Sequence, residues 1–307
     1  MGLLILKAIC VVGIVLNVAM MLKKNAEMKA NPEVIEPFGM TGAEMWEEQK
    51  KHRIATGLVG FFANFFDTLG IGSFAPSASA FKMTKSVDDA LVPGTLNVGD
   101  TVPVCVEAFL FFGLIEMDIL TLVLMIVASV VGSYVMAGVV SKFDRKKVRY
   151  AMFIGLFLLA TIMLLKTMGV GPFGVTGEAV ALRGAKLIIA VVVNFILGAL
   201  MSIGVGLYAP CMALCALLGL NVGCAFPAMM GSCAFLMAFG NGPKFIQEGR
   251  YDMYASLMQA IFGALGVAAA YFLVKSLPLG VLLKLVIAVC YLTSILYLKD
   301  AIQKGSE

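Results

Sequence analysis

A glycine and proline motif, G-x-G-x-x-x-P, occurs twice in this chain, each time inside a long apolar segment. The two copies span residues 70–76 and 204–210, so they lie 134 residues apart. The same shift places Asp118 on Asp252, and a single offset that holds over about a hundred residues indicates an internal duplication. Two glycines and a proline interrupt a helix, and lipid cannot satisfy the backbone groups that an interruption frees. We therefore expect both interruptions to line a polar site.

The composition limits the fold class to a membrane protein. Hydrophobic residues make up 61% of the chain and charged residues 14%, which is more apolar than a soluble core requires. We predict an all-α polytopic protein of the cell membrane (plasma or inner membrane), with about nine transmembrane helices of roughly 20 residues each. The predicted crossings lie near residues 2–22, 54–72, 90–113, 119–140, 148–168, 184–206, 222–241, 252–274 and 278–298.

The duplication divides the chain into an N-terminal part and two membrane repeats. Residues 1–53 are predicted to form a transmembrane helix and a polar connector, which is either a short helix in the headgroup layer or a solvated segment. Residues 54–168 form a first repeat of four helices, with glycine- and proline-broken segments. Residues 169–183 form a glycine-containing linker, and residues 184–307 form the second repeat.

Basic residues between the predicted fourth and fifth crossings give the strongest topology signal. Lys146, Lys147 and Arg149 lie in this loop, so the positive-inside rule places it in the cytoplasm. With nine crossings, Lys50 and Arg53 then fall on the opposite side, which conflicts with the same rule. A parallel and an inverted relation between the repeats both stay open.

Three carboxyl groups occur inside predicted crossings of the first repeat. Asp67 precedes the first glycine motif, whereas Asp100 and Glu107 follow Asn97 along one stripe of the next crossing. Ionisable residues inside a membrane are costly and are functional candidates by default. We predict that Asp67, Asp100 and Glu107 couple transport to protons, the alternative being hydrogen-bonded contacts between helices. The second repeat has Met201, Ala234 and Asn241 at the equivalent positions.

The interrupted helices supply the predicted binding groups for an anion. A helix that begins inside the membrane presents free N–H groups and the positive end of its dipole, and neighbouring hydroxyl groups add donors. The alternative is that glycine and proline only permit close helix packing. The predicted substrate-binding residues are Gly70, Gly72, Ser73, Pro76, Thr95, Asn97, Gly204, Gly206, Tyr208, Pro210 and Ser232.

Other functions are weighed on the same residues. A cation or soft-metal carrier would use the buried acids together with 20 Met and seven Cys, most of which are expected to pack as ordinary hydrophobes. An enzyme is not expected, because the single histidine, His52, lies in the polar connector. No G-x-x-x-x-G-K loop occurs, no cofactor is implied, and a homodimer stays open. The net charge of +4 comes from basic residues in short loops, which gives no basis for nucleic-acid binding.

The pattern resembles the TauE/SafE sulfite-exporter family, also called the toluene-sulfonate uptake permease family. The resemblance covers residues 54–300. It depends on the glycines and proline of the first motif, on Gly94-Thr95-Leu96 and on the second motif. Ser73 replaces a glycine of the usual run, and Leu96 stands where a serine is common. The resemblance implies a permease, a secondary transporter of small anions such as sulfite, sulfonates or other organosulfur compounds. Its partners would be that anionic substrate and the lipid bilayer.

Overall fold

The computed structural model describes residues 2–36, 38–140, 144–170, 177–273 and 279–303. A 3-10 turn spans Val222–Cys224, and a π-helical turn spans Leu236–Gly240. Two short strands pair antiparallel, β1 (Val34–Ile35) and β2 (Met40–Thr41). The helices are Gly2–Ala30 (α1), Gly42–Lys50 (α2), Arg53–Thr68 (α3), Phe74–Thr84 (α4), Val92–Gly99 (α5), Thr101–Phe111 (α6), Ile119–Val140 (α7), Arg145–Thr167 (α8), Gly184–Met201 (α9), Tyr208–Leu217 (α10), Ala225–Phe235 (α11), Gly242–Glu248 (α12), Met253–Leu273 (α13) and Leu279–Gln303 (α14).

The protein is an α-helical membrane protein. Among the described residues, four helices are long and apolar enough to cross a bilayer, and they lie at Gly2–Ala30, Ile119–Val139, Gly184–Met201 and Met253–Phe272. The all-α fold class predicted from the sequence is confirmed at this level. The short polar connector contains α2, whose N-terminus is stabilised by a capping box between Thr41 and Glu44.

Helix starts recur at the shift found in the sequence. Adding 134 to the first residue of α4 or α7 gives the first residue of α10 or α13. The helix pairings recur as well, because α3 packs along α13 and α9 packs along α7. Each repeat-equivalent pair therefore combines one helix from each half of the chain.

Glycines make these two pairings close. A Cβ built on Gly266 of α13 would lie 2.1 Å from the Phe61 carbonyl oxygen of α3. A Cβ on Gly132 of α7 would lie 2.0 Å from the Phe195 carbonyl oxygen of α9. Both glycines and both phenylalanines are related by the same shift. The close backbone approach at small residues is typical of helix packing in membranes.

Helices α8 and α14 pair with each other and run antiparallel. Arg149, near the start of α8, and Asp300, near the end of α14, belong to one ion-pair network. Further along, the Thr161 hydroxyl of α8 lies 2.9 Å from the Tyr291 hydroxyl of α14. These two helices occupy equivalent places in the two halves, yet they point in opposite directions.

Each glycine motif forms the tip of a helical hairpin. Helix α3 ends at Thr68, and α4 runs back, so that His52 before α3 and Lys85 after α4 line the same cleft. At the second motif, Lys186 Nζ near the start of α9 donates a hydrogen bond of 3.0 Å to the Leu218 carbonyl just beyond α10. In both hairpins the two outer ends are therefore neighbours.

These hairpins reverse the chain after residues 54–72 and 184–206, two of the predicted crossings, and the first arm of the second hairpin, Gly184–Met201, is itself long and apolar enough to span a bilayer. The chain reverses because Gly70 and Gly72 have φ of +86° and +94°, and Gly204 has φ of +95°. Side chains rarely adopt such angles, whereas glycine does so without steric cost. A hydropathy pattern registers the apolar length of a segment but not this change of direction.

The basic clusters lie at one end of the molecule, which we call the basic end. One cleft at this end is lined by His52, which directly precedes Arg53 in the chain, by Lys82 and Lys85, and by Arg149 of α8. The opposite end carries Asp118 and Arg183. Both basic clusters therefore satisfy the positive-inside rule together, because the first hairpin returns to the end of the molecule from which it started.

Candidate functional site

The two hairpin tips meet at a small cavity between the halves of the chain. Its volume is about 20 Å³, which is room for about one water molecule. A Cβ built on Gly72 would lie 3.7 Å from Tyr208 Cβ, so the tips are in contact range. The cavity is lined by Asp67, Gly72, Ser73, Phe74, Val104, Met201, Gly206, Leu207, Tyr208 and Cys233.

Two helix N-termini border this cavity. Helix α4 begins at Phe74 and α10 begins at Tyr208, and both residues are in the lining. The first backbone N–H groups of a helix have no intrahelical partner and carry partial positive charge. Pro76 and Pro210 lie in these first turns, where a missing N–H costs little. The prolines therefore lie in the first turn of the second helix of each hairpin, and the interruption between the two helices is made by the glycines.

Asp67 is the carboxyl group in the cavity wall. Its residue is 1% exposed, and neither of its carboxyl oxygens has a hydrogen-bond partner among the described residues. The Ser73 hydroxyl and backbone N–H lie close to this carboxyl group, but neither has the geometry of a hydrogen bond. A buried carboxyl group without partners is costly, so its position at the cavity indicates a functional role.

Glu107 joins the two halves of the site. Its side chain is fully buried. It accepts a hydrogen bond of 2.8 Å from the Thr68 hydroxyl of α3 and one of 2.7 Å from the Tyr208 hydroxyl of α10. In the other half, the equivalent pair is Asn241 and Ser202, with Asn241 donating to the Ser202 hydroxyl at 3.2 Å. The contact is kept in both halves, whereas the carboxyl group occurs in one.

Asp100 lies at the junction of α5 and α6, behind the cavity wall. Asn64 of α3 and Gln259 of α13 each donate a hydrogen bond of 3.1 Å to the same oxygen of Asp100. Its second oxygen has no partner within the described part of the chain. Asp67, Asp100 and Glu107 are close enough to interact electrostatically. The structure thus brings the three predicted acids into one cluster.

Gln259 and Ser256 were not predicted from the sequence. One face of α13, including its N-cap, carries Asp252, Ser256 and Gln259, which are spaced as i, i+4 and i+7. A polar stripe on an otherwise apolar helix is the signal that could have identified them.

Several predicted binding residues lie away from the cavity. The Thr95 hydroxyl accepts the backbone N–H of Asp252 at 2.9 Å, the Asn97 amide donates to the Met201 carbonyl at 3.1 Å, and the Ser232 hydroxyl accepts from Asn194 at 2.9 Å. These contacts connect helices. Of the eleven predicted binding residues, those that line the cavity are Gly72, Ser73, Gly206 and Tyr208.

Thiols and acids do not form a metal centre in the described residues. No group of three His, Cys, Asp or Glu side chains is placed there to hold a metal ion. Cys211 and Cys215 are buried free cysteines, and Cys233 lies 3.6 Å from the Met201 sulfur in the cavity wall. Buried thiols of this kind pack as small hydrophobes. Cys290 belongs to the side chains that the structure does not describe.

Comparisons with protein-family models, with curated proteins and with solved structures find no match for this chain. Inference about function therefore starts from the geometry of the cavity between the hairpin tips.

Proposed function

We propose that the protein is a secondary transporter for a small anion, coupled to protons, with its binding site between the two hairpin tips. The observation that carries this proposal is the meeting of two helix N-termini at a cavity whose wall contains a buried carboxyl group without hydrogen-bond partners. Broken helices that meet at the membrane midplane are a common way for transporters to bind ions.

The proposed architecture is a pair of inverted repeats. Antiparallel pairing of α8 with α14, together with hairpins that start from opposite ends of the molecule, supports an approximate two-fold axis in the membrane plane. Seven crossings follow: α1, α5 with α6, α7, α8, α11 with α12, α13 and α14. Helix α9 is long enough to span a bilayer and is counted here as an arm of the second hairpin. The positive-inside rule places the basic end in the cytoplasm, so the two hairpins enter the membrane from its two faces.

The charges around the cavity explain why an anion would travel with protons. Helix N-termini attract an anion, but three carboxylates beside the same cavity would repel it. Protonation of the cluster removes the repulsion, since a protonated carboxyl group is neutral and donates a hydrogen bond. Binding of the anion and of protons then favour each other, which is the basis of coupled transport.

The substrate class depends on the resemblance to the TauE/SafE family. Sulfite, sulfonates and other organosulfur anions are accordingly the first substrates to test. The cavity of about 20 Å³ is smaller than any of them, so the structure corresponds to a closed state that must open to one side. Opening of one half against the other around a fixed site is the usual motion of repeat-built transporters.

A cation carrier is the second candidate, because three carboxyl groups cluster at the cavity. The two candidates differ in what stabilises the purified protein. A ligand that binds only the folded state raises the melting temperature. Stabilisation by sulfite or a sulfonate would support the anion site, and stabilisation by a metal cation alone would support the cation site.

Transport by the purified protein in liposomes tests the proposal. An imposed pH gradient should drive uptake of a labelled anion from the panel, and Asp67→Asn should abolish this uptake while the variant stays folded. An exposed-site control, Glu33→Gln, should transport like the unmodified protein. If no anion of the panel is taken up, or if Asp67→Asn keeps full pH-driven uptake, the proposed mechanism is wrong.

A further inference from the structure

We propose that protons reach the central acids from the basic end only, along a polar path on one face of α13. The path runs from Asp252 through Ser256 and Gln259 to Asp100, and from there to Asp67. It rests on the proton coupling of the proposed function and specifies the side from which the protons come.

The path begins in a cleft at the basic end. The cleft has a volume of about 480 Å³, which is large enough for many water molecules. Asp252 is 2% exposed and forms part of the cleft lining. The other charged or titratable groups that line the cleft are Glu48, His52, Lys82, Lys85, Asp88, Asp89, Arg149 and Asp300.

The middle of the path consists of polar groups that lack partners. Ser256 and Gln259 are each fully buried. In the described part of the chain, neither the Ser256 hydroxyl oxygen nor the Gln259 side-chain oxygen has a hydrogen-bond partner. Buried polar atoms are almost always hydrogen-bonded to protein or to water. These two atoms lie on the face of α13 that also carries Asp252, so bridging water molecules would complete a continuous line.

The inner end of the path reaches the cavity through Asp100. Gln259 donates to Asp100 at 3.1 Å, and Ser73 is close to both Asp100 and Asp67. The second oxygen of Asp100 and both oxygens of Asp67 have no partner among the described residues. The titratable groups near Asp100 are Asp67, Glu107 and Cys233. Each step therefore joins neighbouring polar groups.

Glycines fix the position of Gln259. A Cβ built on Gly60 of α3 would lie 2.9 Å from Gln259 Cα, and one on Gly99 of α5 would lie 2.4 Å from the Gln259 side-chain oxygen. Three helices thus close around this glutamine. A bulky apolar side chain at 259 would remove the polar atoms that can hold water molecules on the path.

At the described positions equivalent to this path, the other half of the molecule carries apolar side chains. The shift of 134 residues places Leu122 on Ser256, Met125 on Gln259, Ala234 on Asp100 and Met201 on Asp67. Leu122, Met125, Ala234 and Met201 are all buried. From the opposite end, the corresponding route is therefore apolar, which excludes a proton relay along it.

The groups at the outer ends of the two routes also differ. Burial, with a contribution from the nearby Asp88 charge, raises the pKa of Asp252 to about 7. The Arg183 guanidinium holds the pKa of Asp118, its equivalent, well below its usual range. Asp252 can therefore exchange protons near neutral pH, whereas Asp118 stays ionised.

Hydrogen–deuterium exchange of the buried carboxyl groups tests the path without any substrate. Infrared spectroscopy of the purified protein at mildly acidic pH would follow the shift of the carboxylic acid C=O band in D2O, and Asp100→Asn would assign the band. Gln259→Leu should slow this exchange about tenfold or more, because it removes the polar side chain that holds bridging water molecules next to Asp100. Met125→Leu, at the equivalent position, should leave the rate unchanged, and Gln259→Glu should restore it. Unchanged exchange in a folded Gln259→Leu protein, shown by its melting temperature, would overturn the path.

Transport provides a second measurement that separates the path from the proposed function. Gln259→Leu should lose uptake driven by a pH gradient but keep substrate counterflow, which needs no net proton movement. If the unmodified protein transports no anion, the proposed function fails while the exchange experiment still decides the path. If Gln259→Leu keeps full pH-driven uptake, the path fails and the proposed function stands.

Discussion

The two halves of the molecule share their packing and differ in their polar groups. Gly132 and Gly266 make the same close contact in their respective halves, and Asp118 and Asp252 cap α7 and α13 through backbone N–H groups at 2.9 and 2.8 Å. Along the helix face behind each cap the resemblance ends, because α13 continues with Ser256 and Gln259, whereas α7 continues with Leu122 and Met125. The duplicated framework accounts for the fold, and the asymmetry accounts for the proposed direction of proton entry.

The outer ends of the two halves show how this asymmetry arises. Arg183 binds Asp118 through two hydrogen bonds of 2.8 and 3.0 Å. At the position 134 residues earlier stands Gln49, whose side-chain oxygen accepts the backbone N–H of Met253. An arginine that neutralises the capping aspartate in one half is thus replaced by a neutral amide in the other. At one end of the molecule Asp118 is held ionised by its ion pair with Arg183, and at the other end the carboxyl group of Asp252 can titrate.

The largest effect on transport is expected when Asp100 of the polar half is replaced by alanine, the residue type at the equivalent position of the apolar half. Asp100→Ala copies Ala234 and should reduce uptake driven by a pH gradient by about 100-fold or more, because it removes a group that carries protons. Met125→Leu, which changes the apolar half conservatively and away from the cavity lining, should reduce uptake little. The measurement is initial uptake rate in liposomes. Equal losses in both variants would mean that the halves do not differ in function.

The shared packing predicts equal effects in the two halves. Gly132→Ala and Gly266→Ala each place a methyl group against a backbone carbonyl oxygen, and overpacking of this kind costs about 1–3 kcal/mol. Both variants should lower the melting temperature in detergent by similar amounts. A large difference between them would show that the two helix pairs are not equivalent.

A smaller effect is expected from removing the Asp118 charge. Because the pKa of Asp118 is held low by Arg183, its stabilising contribution is present above its ordinary pKa of about 4 and is lost as the pH falls further. Asp118→Asn should therefore lower the melting temperature at neutral pH, and the difference should shrink on acidification. A difference that does not change with pH would contradict the ion pair.

The smallest effect, with the opposite sign, is expected at Asp252. Burial raises its pKa to about 7, so the stability of the unmodified protein falls as the pH rises toward that value and stays lower above it. Asp252→Asn removes this loss, and the variant should melt at a higher temperature than the unmodified protein at alkaline pH. At about pH 2, where the carboxyl group is protonated in both the folded and the unfolded state, the two should agree. A variant that is less stable at alkaline pH would show that the carboxylate is favoured there.

The sequence was sufficient to predict a helical membrane fold, and it singled out three acids that the structure brings together. Asp67, Asp100 and Glu107 stood out because ionisable residues are rare in apolar helices, and they lie together in the structure. The hairpins could not be predicted, since the direction of the chain after Gly72 depends on the sign of its φ. Thr95 was predicted to bind substrate, whereas in the structure its hydroxyl accepts a hydrogen bond from the backbone N–H of Asp252. This contact could not be predicted, because the two residues are 157 positions apart in the sequence.

A structure with bound anion tests the central claim most directly. Cryo-electron microscopy of the protein with sulfite or a sulfonate at mildly acidic pH should show the anion between the N-termini of α4 and α10, against Ser73 and Tyr208. Density for the anion elsewhere, for example in the cleft beside Lys82 and Arg149, with the hairpin tips still closed on each other, would contradict the proposed site.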